Sequence, residues 1–223
     1  MKKNLFFVAV LSVVLIYPVL SFSQTKTSLH IGTTIPTSDF ADDNINHESA
    51  GLAGVGFDLG LQLLFPLNKS GLNLYCETDV LMNGFSKNAK DDLENDAGNN
   101  VDVTCPIYFN IPIVAGVNYS AKANEVLSFF GNCGLGIDFL KATNMKWEGN
   151  NNKTIYETDL LKGFAVKFGG GCMFKDKYSI NLNYCIFGKQ EVKGKFKING
   201  NIQKADPWKM NVAALTLTLG IRL

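Results

Sequence analysis

Beyond residue 25 the chain repeats one pattern. Apolar side chains alternate with small or polar ones over roughly ten residues, and each run then breaks at polar or glycine-rich chain. Eight such segments occur, at 27–35, 52–65, 72–83, 107–119, 127–140, 164–174, 178–187 and 210–222. A strand points successive side chains to opposite faces, so this period predicts strands with one apolar and one polar face; no long segment shows helical spacing. In the second segment Ala53, Val55, Phe57, Leu59, Leu61, Leu63 and Phe65 oppose Gly54, Gly56, Asp58, Gly60 and Gln62. The third sets Leu72, Leu74, Cys76, Val80 and Met82 against Asn73, Glu77 and Asp79. The fifth sets Leu127, Phe129, Cys133, Leu135, Ile137 and Phe139 against Asn132, Gly134, Gly136 and Asp138. The last sets Leu215, Leu217, Leu219, Ile221 and Leu223 against Thr216, Thr218 and Arg222. Alternation alone does not say which face is inside, so other features decide.

Connection length is the first of these. Residues 68–71, 120–126 and 175–177 are short links, whereas 36–51, 84–106, 141–163 and 188–209 are long and polar. Long and short links alternate, so an up-and-down barrel collects every long one at the same end, the asymmetry of barrels that cross a membrane with apolar faces outward. Aromatics are the second feature. Phe65, Tyr119, Phe129, Phe174 and Tyr178 lie beside the short turns, as an interfacial girdle does, and Tyr108, Phe85, Phe139 and Trp208 are candidates for the opposite girdle. The competing reading is a soluble barrel with these aromatics in its core.

Two long links read as projecting hairpins. Both positions of Asn199-Gly200 tolerate the positive φ of a type I′ turn. Folding there without bulges pairs Ile180 with Leu219, Leu182 with Leu217 and Tyr184 with Leu215, and on the other face Asn181 with Thr218 and Asn183 with Thr216. Pro207 cannot donate to a ladder, so a bulge is expected at 206–208. Residues 145–148 and 154–158, joined by the Gly-Asn-Asn-Asn run at 149–152, form the second hairpin.

The N-terminus carries Lys2 and Lys3, an apolar run at 5–20, and then Ser21-Phe22-Ser23. This is the charged, apolar and small-residue order of a secretory signal peptide, so 1–23 is expected to be cleaved and 24–223 to be the folded barrel domain. Pro18 and the polar edge at 23–25 argue against a transmembrane helix, and no cysteine follows the run to carry a lipid. The formal charge of +1 becomes −1 without Lys2 and Lys3, which gives nucleic acid no reason to bind. The five cysteines are widely spaced, without a C-x-x-C pair, and read mostly as small apolar fillers rather than a disulfide framework.

Several short motifs carry a family resemblance. They are Ile31-Gly32-Thr33-Thr34-Ile35-Pro36 with Asp39-Phe40, Asn110-Ile111-Pro112-Ile113, Gly131-Asn132-Cys133-Gly134-Leu135-Gly136, and Phe168-Gly169-Gly170-Gly171. In order and spacing they resemble the outer-membrane β-barrel domain family of Gram-negative bacteria. The resemblance implies an all-β fold, a single antiparallel up-and-down transmembrane barrel of about eight strands with short periplasmic turns and long extracellular hairpin loops. It also implies a place in the cell outer membrane, in contact with its lipid and lipopolysaccharide, and reading of the C-terminal strand by the barrel-insertion machinery. The chain departs from the family in ending Gly220-Ile221-Arg222-Leu223 rather than on an aromatic residue.

An eight-stranded barrel is just wide enough for side chains to fill it, so an open porin channel is not expected. Candidates for the polar filling are Asp58, Gln62, Glu77, Asp79, Asn132, Asp138, Lys167, Asn181, Asn183 and Arg222. A hydrogen-bonded network is the favoured reading, with Asp138 and Lys167 expected to pair across neighbouring strands. His30 has inward parity in the first strand, and His47 lies in the first long loop near Asp42, Asp43 and Glu48. Neither completes a catalytic set, and Gly169-Gly170-Gly171 reads as a bend rather than a phosphate cradle. No catalytic residue, cofactor or metal ligand set is therefore assigned.

The loops differ in charge. Residues 90–96 are mainly acidic, whereas Lys189, Lys193, Lys195, Lys197 and Lys204 face only Glu191 and Asp206 in the last hairpin. Solvated loop faces are the favoured reading of both segments; the functional alternatives are that they dock on each other, or that the basic one touches anionic lipopolysaccharide or a host surface while the acidic one recruits divalent cations. The leading reading is a non-enzymatic, monomeric barrel with a structural or surface-contact role. The alternatives are a membrane-embedded hydrolase of lipid or peptide using His47, and a soluble exported barrel that binds an apolar ligand.

Overall fold

Each alternating segment is a strand in the computed structural model, which describes residues 25–67, 70–98, 100–149 and 152–223. The expected signal peptide at 1–23 lies outside the described residues. In chain order the strands are β1 (Lys26–Thr37), β2 (Ala53–Pro66), β3 (Leu72–Phe85), β4 (Val101–Thr104), β5 (Tyr108–Lys122), β6 (Leu127–Ala142) and β7 (Met145–Gly149). There follow β8 (Lys153–Thr158), β9 (Leu161–Phe174), β10 (Tyr178–Val192), β11 (Gly194–Ile198), β12 (Asn201–Lys204) and β13 (Trp208–Arg222). Eight of them close an antiparallel barrel in the order β1-β13-β10-β9-β6-β5-β3-β2. The other five form a second sheet, β12-β11-β8-β7-β4, built from the long connections. A helix α1 (Lys87–Ala97) precedes β4, and a 3-10 turn spans Ser38–Ala41.

The apolar faces point outward. Leu61, Leu135 and Leu217 are 37%, 56% and 48% exposed, and Leu29, Ile31, Leu59, Ile137, Leu182 and Leu219 share that outer surface. Asp58, Asp79, Asp138 and Lys167 are fully buried inside. This inverts the arrangement of a soluble protein, which rarely exposes so large an apolar patch. A bilayer removes the inconsistency, because lipid covers the outer band while the closed ladder leaves no edge with unpaired amides. Tyr119, Phe129, Phe174 and Tyr178 stand exposed near the short-turn end, where the sequence places a girdle.

At the long-loop end the aromatics behave differently from expectation. Tyr108 lies two residues from buried Asn110 and so on the inward side of β5; with Phe85 and Trp208 it lines an apolar cavity of about 110 Å³. Of the candidates for this girdle, Phe139 alone keeps outward parity. The interior is correspondingly not polar throughout. Phe40, Leu81, Leu140, Leu161, Val192, Met210 and Val212 form a buried apolar plug at this end. Asp39 holds the 3-10 turn in place, since its Oδ2 accepts from the backbone N–H of Asn211 at 2.9 Å and from its side chain at 2.7 Å. Phe40 is thereby fully buried, edge-on to Tyr108 with ring centroids 5.4 Å apart.

Register follows the hairpin reading. Ile180 pairs with Leu219, Leu182 with Leu217, Tyr184 with Leu215, Asn181 with Thr218 and Asn183 with Thr216. The barrel nevertheless contains compensating irregularities. Val192 pairs with Trp208 and Lys195 with Lys204, so an extra residue sits in the Pro207 segment, as its missing N–H requires. A shift between Ile186 and Gly188, where Gly188 takes φ +72°, offsets it and turns Phe187 inward. A similar shift between Ala53 and Gly56 buries Ala53, which strict alternation places outside with Val55.

Leu217 tests the face assignment. Leu217→Arg is expected to lower folding stability by about 2–4 kcal/mol in a bilayer, read as an earlier midpoint in urea titrations of vesicle-inserted protein. An unchanged midpoint would mean that this face does not meet lipid.

Candidate functional site

The barrel interior concentrates its charge on three adjacent strands. Gly60 on β2 pairs with His30 on β1 and with Asp79 on β3, so His30, Gly60 and Asp79 stand in one row across the wall. Gly60 leaves the space that lets its neighbours meet, since a Cβ there would lie 2.0 Å from His30 Nε2. His30 Nε2 donates to Asp79 Oδ1 at 2.7 Å and lies 3.4 Å from Glu77 Oε1. From the facing wall, Lys167 on β9 donates to Asp79 Oδ2 at 2.7 Å and to Glu77 Oε1 at 2.8 Å. Gln62 Nε2 donates to Glu77 Oε2 at 3.0 Å. Asp58 belongs to the same inward face of β2, two residues before Gly60, and is also fully buried.

Burying such charges is favourable only when partners replace lost hydration, and Lys167 does this for two carboxylates at once. The expected Asp138–Lys167 pair does not form. The β7–β8 hairpin sets Met145 opposite Tyr156, and the register it carries into the barrel puts Asp138 opposite Gly163 and Lys167 opposite Gly134. Asp138 Oδ2 instead accepts from Gln190 Nε2 at 3.1 Å. Among the other candidates, Asn132 Nδ2 donates to Asn183 Oδ1 at 3.2 Å and Asn181 Nδ2 donates to Thr218 Oγ1 at 2.9 Å. Arg222 is at the short-turn rim, 3.5 Å from Asp176. Inward parity of His30, Glu77 and Asp79 was readable from sequence. Their convergence with Lys167 required the closed cross-section.

A polar cavity of about 580 Å³ opens from the short-turn end and reaches this cluster, with Lys26, Ser28, His30, Glu77, Asn183 and Arg222 among its lining. His47 is elsewhere, in the exposed first long loop, with its Nδ1 2.5 Å from Asp42 Oδ2. That hydrogen bond raises the His47 pKa and lowers that of Asp42.

Outside the barrel, strand alternation sorts the second sheet into two faces. Tyr156 and Phe196 meet on one, with centroids 4.9 Å apart. Following the paired rows, Lys146, Lys153, Lys195, Lys197 and Lys204 fall on the other, together with Asp102, Glu148 and Glu157. Glu157 lies 2.5 Å from Lys197 Nζ and 3.4 Å from Lys195 Nζ, and the Lys197 hydrogen bond foremost pulls its pKa down. The acidic 90–96 segment does not dock on this hairpin. It lies in α1, which packs on β4 at the opposite edge of the sheet from β11 and β12. The described cysteines are all unpaired, and Cys133 is exposed on the outer, lipid-directed face.

No protein-family model matches the chain, and no curated protein matches it. Solved structures do. A major outer membrane protein from Thermus thermophilus superposes with a TM-score of 0.52 at 8% identity, over 90% of this chain and all of the other. The Neisserial surface protein A gives 0.44 at 13% identity over 90% and 97% of the two chains. Ail, the attachment invasion locus protein of Yersinia pestis, gives 0.41 at 15% over 89% and 97%. The chain has the fold of a small eight-stranded outer-membrane β-barrel.

Removing the buried cation is expected to be costly. Lys167→Met leaves Glu77 and Asp79 uncompensated and is expected to lose about 3–5 kcal/mol of stability in urea titrations. For Glu157, whose folded pKa is depressed, the contribution to the outer sheet is complete above its ordinary value of 4.5 and is lost as pH falls through the lower folded value. The protection of β8 and β11 amides against exchange, taken relative to the intrinsic rate at each pH, should therefore fall in acid, and Glu157→Gln should remove that fall.

Proposed function

We propose that this protein is a non-enzymatic outer-membrane barrel, exported with loss of a signal peptide at 1–23, which makes surface contacts through its projecting sheet. With the termini in the periplasm, the short turns stay on that side and all four long connections emerge outside. The observation that carries the reading is the lysine-rich face, where five lysines stand against three carboxylates on an ordered platform. Two of these lysines, Lys146 and Lys153, come from a different hairpin than the one whose composition first marked it as basic. Such a face suits phosphate and carboxylate groups of lipopolysaccharide, the anionic surface that surrounds an emerging loop. The apolar plug at the same end supports a closed rather than porin-like barrel.

A hydrolase built on His47 is the weaker reading, because among the described residues its ring is partnered by Asp42 alone, in an exposed loop. A soluble ligand carrier requires the reverse of the leucine arrangement observed.

Cell fractionation is expected to recover the protein with the outer membrane, and protease added to intact cells should cut the 193–204 hairpin while sparing the barrel. Binding of the purified, folded protein to lipopolysaccharide should fall with salt. It should weaken at least about fivefold when Lys195, Lys197 and Lys204 are changed together to Gln, each surface charge contributing a few tenths of a kcal/mol. Binding indifferent to both changes would remove the proposed role of this face.

A further inference from the structure

Asp58 is the one carboxylate of the interior cluster left without support. It is 0% exposed, and neither of its oxygens has a hydrogen-bond partner among the described residues. A buried ionised carboxylate with no partner is among the costliest groups a fold can hold. With its three carboxylates ionised and His30 neutral, the cluster is short of positive charge: among the described residues Lys167 is the only permanent cation near Asp58, Glu77 and Asp79, which leaves two negative charges uncompensated. One divalent cation balances that deficit.

The geometry suits one. Ligand atoms of His30, Asp58 and Asp79 all lie within 4.8 Å of one another. Metal–ligand bonds of about 2.0–2.2 Å set donor atoms roughly 3.0–4.4 Å apart around a common ion, so modest side-chain movement completes the set. Three strands carry the donors, and Gly60, having no side chain, lets His30 Nε2 and Asp79 Oδ1 come together over its backbone. The polar cavity of about 580 Å³ reaches His30 and Glu77 from the short-turn end and supplies a path for entry.

We propose that His30 Nε2 and the carboxylates of Asp58 and Asp79 bind a first-row divalent metal ion inside the barrel. One imidazole nitrogen with two carboxylates is a Zn²⁺-type or Mn²⁺/Fe²⁺-type donor set rather than a Ca²⁺ cage, which takes oxygen ligands throughout. On binding, the neutral His30 ring moves its one hydrogen from Nε2 to Nδ1 by exchange with solvent, so that Nε2 offers its lone pair to the metal and no net proton is released. Lys167 stays on Asp79 Oδ2 and Glu77, orienting the ligating carboxylate as an outer partner. The site is independent of the lysine-rich face, so either proposal can fail alone.

The test uses the full folded chain in detergent, stripped with chelator and titrated with Zn²⁺ by calorimetry. One Zn²⁺ per chain is expected, with affinity falling at least about tenfold in Asp58→Asn and in His30→Gln, and unchanged in His47→Ala. Failure of the folded wild-type chain to retain Zn²⁺, or binding indifferent to Asp58→Asn, overturns the site; loss of binding in His47→Ala would place the ion in the outer loop instead and overturns it equally. Should either interior variant fail to fold, Co²⁺ added to the wild-type chain decides. Visible d–d absorption together with a paramagnetically shifted His30 resonance supports the assignment, and a diamagnetic His30 signal ends it.

Discussion

In a hydrocarbon solvent an unpaired backbone amide has nowhere to turn, and that constraint governs this molecule. Eight strands satisfy one another only by closing, with β1 pairing to β13, and closure divides every strand into a lipid face and a confined interior. The outer face is solved simply, by leucine, isoleucine, valine and phenylalanine. The interior is harder, because eight strands enclose a space that side chains must fill almost completely. The chain fills it in two ways. Near the long loops it uses an apolar plug around Phe40, and toward the short turns it uses charge and amides.

The charged portion is organised about two residues from opposite walls. Lys167 reaches across to Glu77 and Asp79, while Gly60, by having no side chain, lets His30 reach Asp79 over it. Such an interior ties β1, β2 and β3 to β9 by interactions that are strong only because water is largely excluded. Asp58, fully buried beside them, shares the confinement without sharing the partners, and this imbalance is what marks the cluster as a place for an ion.

Outside the bilayer the constraint relaxes and the same strand chemistry is used differently. The β10–β13 ladder continues into β11 and β12, and the β6–β9 ladder into β7 and β8, so the barrel wall becomes a free-standing sheet. The sheet is ordered by its neighbours rather than by a core of its own. Its lysines, drawn from three connected strands of the β8–β12 part and from β7, are brought together by pairing across hairpins.

Much of the architecture was legible in the chain because strand period, turn residues and loop length are local properties. Leu61, Leu135 and Leu217 pointed outward, Asn199-Gly200 located a hairpin, and its register ran correctly to Ile180 and Leu219, two opposed irregularities at Phe187 and Pro207 cancelling between them. The inward parity of Asp58, Glu77, Asp79 and Lys167 was local as well. What tertiary structure alone decided is which inward residues meet: Lys167 joins Glu77 and Asp79 rather than Asp138, and His30 enters the same cluster. Tyr108 and Trp208 turn onto the plug instead of the membrane interface, and the acidic helix sits far from the basic hairpin. These are contacts across a closed cross-section or between separate loops. Period-two alternation determines a side chain's face but carries no information about its position around the ring, which depends on the stagger of all eight strands together.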